Sequence, residues 1–159
     1  MEFKTNVMRI FDKSKLTYLS HSYDSGEAIS GQEVAKVLNI DPSIAFKTLV
    51  TVSATNQNYV FMIPVLKELD LKKAAKSVGE KDLKMIKQKD LLPLTGYIHG
   101  GCSPVGMKKT FKTVIDNSAK QLTTIVFSAG RIGYQIEMSL TELAKVLKFE
   151  LEDIAIENN

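Results

Sequence analysis

Apolar residues follow a strand-like spacing in the middle of this chain. The runs at 46–52 and 59–65 are rich in β-branched and aromatic residues, and the mostly polar segment 54–58 separates them. Two such runs joined by a short polar connection are typical of a β-hairpin. The pattern therefore predicts two central strands. Shorter apolar runs of the same kind predict further strands at 17–23, 83–86, 113–115, 123–128, 134–138 and 150–155.

Helix-start signals alternate with these strands. A first helix is predicted after Thr5 and ends near 13–15. The pairs Ser30 with Glu33 and Ser139 with Glu142 have capping-box spacing, which predicts a helix at 31–39 and another after Ser139. Three further helical segments are predicted: one between Asp70 and Gly79, one beginning at Asp41-Pro42, and one turn near 90–92. Hairpins with interspersed helices favour an α+β, mixed-sheet domain.

Composition sets limits on the domain and its partners. The 159 residues, of which 44% are hydrophobic, fit one domain over residues 1–159. The 21 Lys and Arg against 18 Asp and Glu give a net charge of +3, which permits a nucleic-acid partner without requiring one. One cysteine excludes an internal disulfide, and the two histidines show no zinc-ligand spacing, so we expect no metal and no cofactor. The chain shows neither a signal-peptide core nor a membrane-length apolar run, which favours the cytoplasm.

The segment 100–106, Gly-Gly-Cys-Ser-Pro-Val-Gly, concentrates three glycines and a proline between two strand-like runs. Glycine allows close backbone approach and positive φ, whereas Pro104 restricts its own φ and that of Ser103. Such a loop can present N–H donors to an anion or a carbonyl oxygen. The alternative is a tight connection without a ligand.

Lys47 is a lone cation at the beginning of an otherwise apolar predicted strand. An ammonium group is costly to bury without a partner, so this side chain must reach solvent, a carboxylate or an anionic ligand. It could also be an edge lysine that extends to water, or a base or Schiff-base nucleophile. The neighbouring residues do not select among these roles.

Five segments of the chain match a known family in order and spacing. They are Phe-Lys-Thr-Leu at 46–49, Leu-Lys-Lys-Ala-Ala-Lys at 71–76, Thr-Gly-Tyr at 95–97, the glycine loop with its following lysines at 100–109, and Ser-Ala-Gly-Arg at 128–131. With these segments the chain resembles the YbaK/EbsC-type aminoacyl-tRNA deacylases, stand-alone relatives of the editing domain in bacterial prolyl-tRNA synthetases. The likeness extends over nearly the whole chain.

This resemblance implies a mixed, barrel-like β-sheet flanked by helices and a deacylase that acts in trans, releasing a misattached amino acid, typically cysteine from tRNA for proline. It also implies an aminoacylated tRNA 3′ end as partner, with prolyl-tRNA synthetase as a possible second partner, and no metal. Lys47 corresponds to the essential lysine. The substrate-binding positions that it implies are Tyr23, Thr48, Gly100, Gly101, Cys102, Ser103, Pro104, Ser128, Gly130 and Gln135.

The residues can support this chemistry without a Ser-His-Asp triad, which the sequence does not offer. A cation and N–H donors can orient an ester and stabilise a developing oxyanion, while the substrate thiol, a ribose hydroxyl or a water attacks. Cys102 lacks an identifiable base, so we interpret it as a small apolar filler rather than a nucleophile. We interpret His21 as a half-buried sheet residue. Lys108 and Lys109 follow the loop directly and are candidates for tRNA phosphate contacts.

Cys102 stands where the family usually has an aliphatic residue, and two further positions also depart from the family pattern. Ser30 stands where relatives often have an aromatic residue, and Gln135 stands where an acidic residue is common. Both bear on pocket shape and amino-acid preference, so release of another small amino acid such as alanine is an alternative. A non-catalytic domain that binds tRNA ends or a synthetase is a second alternative, and a domain in which Lys47 and the loop hold a nucleotide phosphate is a third.

Overall fold

The structure is a computed structural model that describes residues 3–24, 26 and 30–157. Its strands are β1 (Leu19–Ser22), β2 (Phe46–Ser53), β3 (Asn58–Pro64), β4 (Lys67–Leu69), β5 (Leu83–Met85), β6 (Lys112–Asp116), β7 (Ile125–Ser128), β8 (Tyr134–Met138), β9 (Glu150–Glu152) and β10 (Ala155–Glu157). Its α-helices are α1 (Asn6–Lys13), α2 (Gly31–Val37), α3 (Leu71–Ser77), α4 (Gln88–Thr95) and α5 (Leu140–Leu143), and 3-10 turns cover Pro42–Ile44 and Asn117–Gln121.

The predicted helix starts are confirmed by side-chain caps. The Thr5 hydroxyl accepts from the Met8 amide at 3.2 Å, and the Asp70 carboxylate accepts from the first turn of α3. Ser30 and Ser139 cap α2 and α5 through the amides of Glu33 and Glu142, each at 3.2 Å. These contacts satisfy amides that have no partner within the helix. Local polar chemistry therefore sets where these helices begin.

The strands form a mixed sheet in the order β5-β2-β3-β6-β9, a three-stranded sheet β1-β8-β7, and a pair β10-β4. The predicted β2–β3 hairpin is confirmed as an antiparallel pair, and β6 joins β3 in parallel. The two larger sheets meet where Ala45, just before β2, forms a parallel bridge with Val126 of β7. This bridge brings the beginning of β2 beside the end of β7.

The α+β expectation is confirmed, whereas its barrel-like detail is not. Strand pairing within the described ranges gives three separate sheets and no closed barrel. The single strand predicted at 150–155 is wrong, because the chain changes partners there: β9 pairs with β6, and β10 pairs with β4. Between them Ile154 is fully buried, and its backbone bonds the Asp116 carboxylate and the Asp70 amide. These contacts end one strand and start the next.

The two faces of the five-stranded sheet pack against different elements. Phe46 and Val50 of β2 belong to the larger core, which also contains β7, β8 and α1. Phe61 and Ile63 of β3 belong to a smaller core that includes α3. Because side chains alternate along a strand, successive residues of β2 point to opposite sides.

Candidate functional site

Lys47, the second residue of β2, points away from the larger core. Its antiparallel partner is Ile63, which belongs to the smaller core, while the neighbouring Phe46 faces the larger one. The ammonium group is half-buried. Burial lowers its pKa, and the negative charge of Glu68 partly opposes that shift. Lys47 is therefore a partly desolvated cation that remains reachable from solvent.

Strand register places three further polar side chains in a row beside Lys47. Ala45 and Val126 are bridged in parallel, so Lys47 and Ser128, each two residues further on, occupy corresponding positions on one side. Ser128 is paired with Gln135, and Gln135 is paired with His21. Directly opposed residues share a face of a sheet. We call the row formed by Lys47, Ser128, Gln135 and His21 the lysine face.

The turn between β7 and β8 adjoins this row on one side and Tyr23 on the other. The Ser128 hydroxyl accepts from the Gly130 amide at 3.1 Å. The Tyr23 amide donates to the Gly133 carbonyl at 2.9 Å, and Tyr23 itself is partly buried. The structure therefore brings Tyr23, Ser128, Gly130 and Gln135 together.

The predicted glycine loop packs directly on this turn. A Cβ on Gly101 would lie 3.1 Å from the backbone nitrogen of Ile132, and one on Gly100, whose φ is +88°, would lie 3.6 Å from its side chain. Such a contact between two backbones is possible because Gly101 has no side chain. The loop and the turn therefore form one continuous wall at the end of the lysine face.

Tyr97 fixes both parts of this wall. Its buried hydroxyl donates a hydrogen bond to the Val105 carbonyl inside the loop, and burial raises the pKa of Tyr97 to about 12. A Cβ on Gly130, whose φ is +92°, would come within 3.0 Å of the Tyr97 ring. In the loop itself, the Val105 amide donates to the Ser103 hydroxyl at 3.3 Å, and Ser103 and Pro104 are buried. The loop is therefore held by internal contacts before any ligand binds.

Cys102 is part of the core and not of an open site. Its side chain is only 8% exposed and packs in the larger core. Burial raises the pKa of this thiol to about 12, so the nucleophilic thiolate is scarce at neutral pH. The nearby His99 is exposed. This geometry supports the interpretation of Cys102 as a filler.

Three other predicted positions lie apart from the lysine face. Thr48 alternates with Lys47 and points to the opposite side of β2, where its buried hydroxyl has no hydrogen-bond partner among the described residues. Lys108 is anchored through its amide to the Thr95 carbonyl at 3.0 Å, with its aliphatic chain near Gly96. Lys109 lines a separate cavity.

Sequence reasoning missed a hydrogen-bonded chain at the edge of the lysine face. His21 Nε2 lies 2.9 Å from Glu137 Oε1, and the Thr124 hydroxyl donates to Glu137 Oε2 at 2.6 Å. The hydrogen bond from Thr124 is the main cause that lowers the pKa of Glu137, and His21 adds to it. Glu137 follows Gln135 by two strand positions, so the strand period could have placed this carboxylate on the same face. Glu137 therefore provides a negative charge close to Gln135, whose own side chain is neutral.

This arrangement combines a cation, a rigid backbone wall and several hydroxyl and amide groups. Such groups can bind a phosphate, orient an ester and stabilise negative charge on its carbonyl oxygen. Within residues 3–24, 26 and 30–157, no group of three His, Cys, Asp or Glu side chains could hold a metal ion. No helix in the part of the chain that the structure describes is both long and apolar enough to cross a membrane.

The chain belongs to the aminoacyl-tRNA editing domain family, whose pattern matches residues 27–146. It is 45% identical over 137 residues to a protein of Enterococcus faecalis provisionally named Cys-tRNA(Pro)/Cys-tRNA(Cys) deacylase EbsC. That match covers 86% of this chain and 84% of the relative. These findings confirm the predicted membership of the editing family and the prediction of an aminoacyl-tRNA deacylase.

Two crystal structures share the fold. The hypothetical protein APE2540 superposes with a TM-score of 0.85 at 22% identity, covering 94% of this chain and 99% of the other. A protein provisionally described as a trans-editing enzyme for prolyl-tRNA synthetase gives a TM-score of 0.80 at 20% identity, covering 96% and 93%. At these identities the likeness supports the α+β fold alone.

Proposed function

We propose that this protein releases cysteine from Cys-tRNA(Pro) in trans, with Lys47 as the essential side chain. The observation that carries the proposal is the lysine face, where β2, β7, β8 and β1 bring Lys47, Ser128, Gln135 and His21 into one row beside a backbone wall. The relative in Enterococcus faecalis supports the choice of cysteine, because it is named as a deacylase of cysteinyl tRNA.

In this proposal Lys47 holds the terminal phosphate or the ester carbonyl region of the aminoacyl adenosine. The loop from Gly100 to Pro104 supplies backbone groups, and Thr48, Cys102 and Ser103 shape the pocket from behind. Tyr23, Ser128, Gly130 and Gln135 contact the amino acid or the ribose. Because the residues that the structure describes offer no activated nucleophile, the attacking group comes from the substrate or from water.

A cysteine substrate can supply its own thiol. The sulfur forms a bond to the ester carbon, the bond from that carbon to the ribose oxygen breaks, and the ribose oxygen takes up the proton lost by the thiol. Alternatively, a water that the free ribose hydroxyl orients adds to the same carbon, the bond from that carbon to the ribose oxygen breaks, the ribose oxygen takes up the proton lost by the water, and the amino acid leaves as the free acid. In each case negative charge develops on the carbonyl oxygen, where a cation and N–H donors lower the barrier.

The proposal also includes features beyond the reacting groups. Residues 1–159 form one editing domain, Lys108 and Lys109 contact tRNA phosphates, and prolyl-tRNA synthetase presents the substrate in the cytoplasm. The exposed positions of both lysines next to the loop support the phosphate contacts. No metal and no cofactor takes part in the reaction.

A deacylation panel tests this function. Purified protein is incubated with tRNA for proline charged with cysteine, serine, alanine or proline, and release of the labelled amino acid is followed. We expect release from the cysteinyl tRNA at least about tenfold faster than from the seryl tRNA, because the two differ only in the sulfur atom. Equal rates for the two would contradict the thiol step, and faster release of alanine would support the alternative substrate. Binding of tRNA without release of any amino acid would identify a non-catalytic domain.

A further inference from the structure

A cavity of about 610 Å³ lies beside the glycine loop and is separate from the lysine face. Residues 104–107, 109–113 and 146–150 line it, so its walls come from the loop, the start of β6 and the segment after α5. We call this cavity the basic groove. The deacylase chemistry described above uses none of its side chains except Lys109.

The charge of the groove is positive. Lys109, Lys112 and Lys148 line it together with a single carboxylate, that of Glu150. Lys112 Nζ lies 3.8 Å from Glu150 Oε2, so this ion pair partly neutralises the carboxylate. Lys109 and Lys148 are both exposed, and neither forms an ion pair with another residue that the structure describes, so they add two positive charges to the groove. This charge fits a polyanion.

Two aromatic side chains accompany these lysines. Phe111 and Phe149 line the groove and also pack against the larger core, so their rings are anchored on one side and partly exposed on the other. Each is adjacent in sequence to a lysine. Fixed aromatic rings beside cations suit single-stranded nucleic acid, because bases stack on the rings while phosphates meet the charges.

The groove and the lysine face lie on two sides of the same loop. Pro104 and Val105 line the groove, whereas Gly100 and Gly101 touch the turn that ends the lysine face. Lys112 of β6 pairs with Tyr59 of β3, which in turn pairs with Thr51 of β2. Lys112 is therefore two strands away from β2 and, along the strand direction, four residues away from Lys47. At ordinary strand spacings this separation is about 16 Å, which a few extended nucleotides can span.

We propose that the basic groove binds the single-stranded nucleotides that precede the terminal adenosine of tRNA. Bases stack on Phe111 and Phe149, and phosphates contact Lys109 and Lys148. This inference rests on the proposed function, because it takes the terminal adenosine to lie at the lysine face. It adds a second contact region that sets how the 3′ end enters the site.

The test measures binding of uncharged tRNA, so that it is independent of deacylation. Labelled tRNA for proline and the same tRNA without its single-stranded 3′ nucleotides are titrated with wild-type protein and with the double variant Lys109→Gln/Lys148→Gln. The variant Lys81→Gln/Lys120→Gln is the matched control, since it removes two exposed lysines outside the groove. Phe111→Leu/Phe149→Leu keeps apolar side chains but removes both aromatic rings.

For full-length tRNA we expect the groove variants to bind about tenfold more weakly than wild type, with a shallower salt dependence for the lysine variant. For the truncated tRNA, wild type and groove variants should bind alike. The proposal would be overturned if the groove variants lost the same affinity for both RNAs, or if their loss of affinity for full-length tRNA were no larger than that of the control variant. If the groove binds the 3′ end but wild-type protein releases no amino acid, the proposed function fails while the binding role of the groove stands.

Discussion

The start of β2 and the glycine loop each carry a potentially reactive side chain, and burial shifts the pKa values of these two groups in opposite directions. Lys47 is half-buried, and partial desolvation lowers its pKa while leaving the group within reach of a ligand. Cys102 is almost fully buried, and desolvation raises the pKa of its thiol to about 12. In both cases burial favours the neutral form. The lysine remains a usable cation, whereas the cysteine becomes an inert part of the wall.

The contrast supports the proposal that the loop contributes through its backbone and not through its most reactive side chain. Gly100, Gly101 and Gly130 allow the loop and the β7–β8 turn to touch, and Tyr97 ties them together. Cys102 fills the space behind this contact. In the proposed mechanism, the strand therefore provides the reactive side chain, and the loop provides the shape of the wall.

Replacing Lys47 should give the largest effect. Lys47→Ala removes the cation of the lysine face, and we expect the single-turnover rate of cysteine release to fall by about 100-fold or more. Lys84→Ala removes an exposed lysine from β5 and is the control, with an expected rate equal to wild type. Thermal unfolding of both variants checks that the fold persists. Undiminished release by folded Lys47→Ala protein would show that this lysine is not essential.

A matched pair of glycines tests the shape of the wall. Gly130→Ala and Gly79→Ala both place a side chain at positive φ. The new Cβ at position 130 would contact Tyr97 and Val7, whereas the new Cβ at position 79 would have no atom within 4 Å. We expect each to lose about 1 kcal/mol of stability, because an L side chain is strained in the left-handed conformation. Gly130→Ala should lose about 2 kcal/mol more and release cysteine about tenfold more slowly. Denaturant unfolding and the release assay measure both effects, and identical behaviour of the two variants would refute the packing argument.

Glu68 provides a smaller test through pH. In the proposed mechanism the charged form of Lys47 is the active one, so we expect activity to fall as pH rises through the pKa of this lysine. Glu68 raises that pKa, and Glu68→Gln should therefore move the alkaline fall of activity to lower pH while leaving the neutral rate unchanged. We expect about a twofold loss at alkaline pH in low salt, and little loss in high salt because salt screens the charge. An unshifted alkaline limb, with the exposed Glu152→Gln as control, would exclude this coupling.

Cys102 should show the smallest catalytic effect. Cys102→Ala removes a buried sulfur, so we expect a stability loss of about 1 kcal/mol from the cavity and a release rate within about threefold of wild type. The release assay and denaturant unfolding measure the two quantities separately. A rate loss as large as that of Lys47→Ala would make Cys102 a catalytic residue and reverse the comparison.

Local signals predict much of the fold. Thr5, Ser30, Asp70 and Ser139 cap their helices as expected, and the β2–β3 hairpin follows from its apolar runs. The partner exchange at Ile154 was not predictable, because it depends on contacts with Asp70 and Asp116, which are distant in sequence. Short β4 escaped prediction for the same reason, since its pairing partner is β10.

The candidate site was predictable as a set of segments but not as a surface. Strand alternation separates Lys47 from Thr48, although they are neighbours in sequence. The pairing of His21 with Gln135, and the hydrogen bond from His21 to Glu137, join positions more than 100 residues apart. Sequence patterns identify such residues one at a time, whereas sheet register decides which of them meet.

The central claim is that an ammonium at position 47 carries the reaction while Cys102 remains inert, and one rescue experiment tests both parts. Lys47→Cys protein is treated with 2-bromoethylamine, which converts an accessible cysteine into a close analogue of lysine, and cysteine release is measured before and after. We predict very slow release before treatment, recovery to within about tenfold of wild type afterwards, and a single adduct by mass spectrometry because the Cys102 thiol is buried. Full activity of the untreated variant, or a complete single adduct at position 47 without recovery of release, would contradict the account.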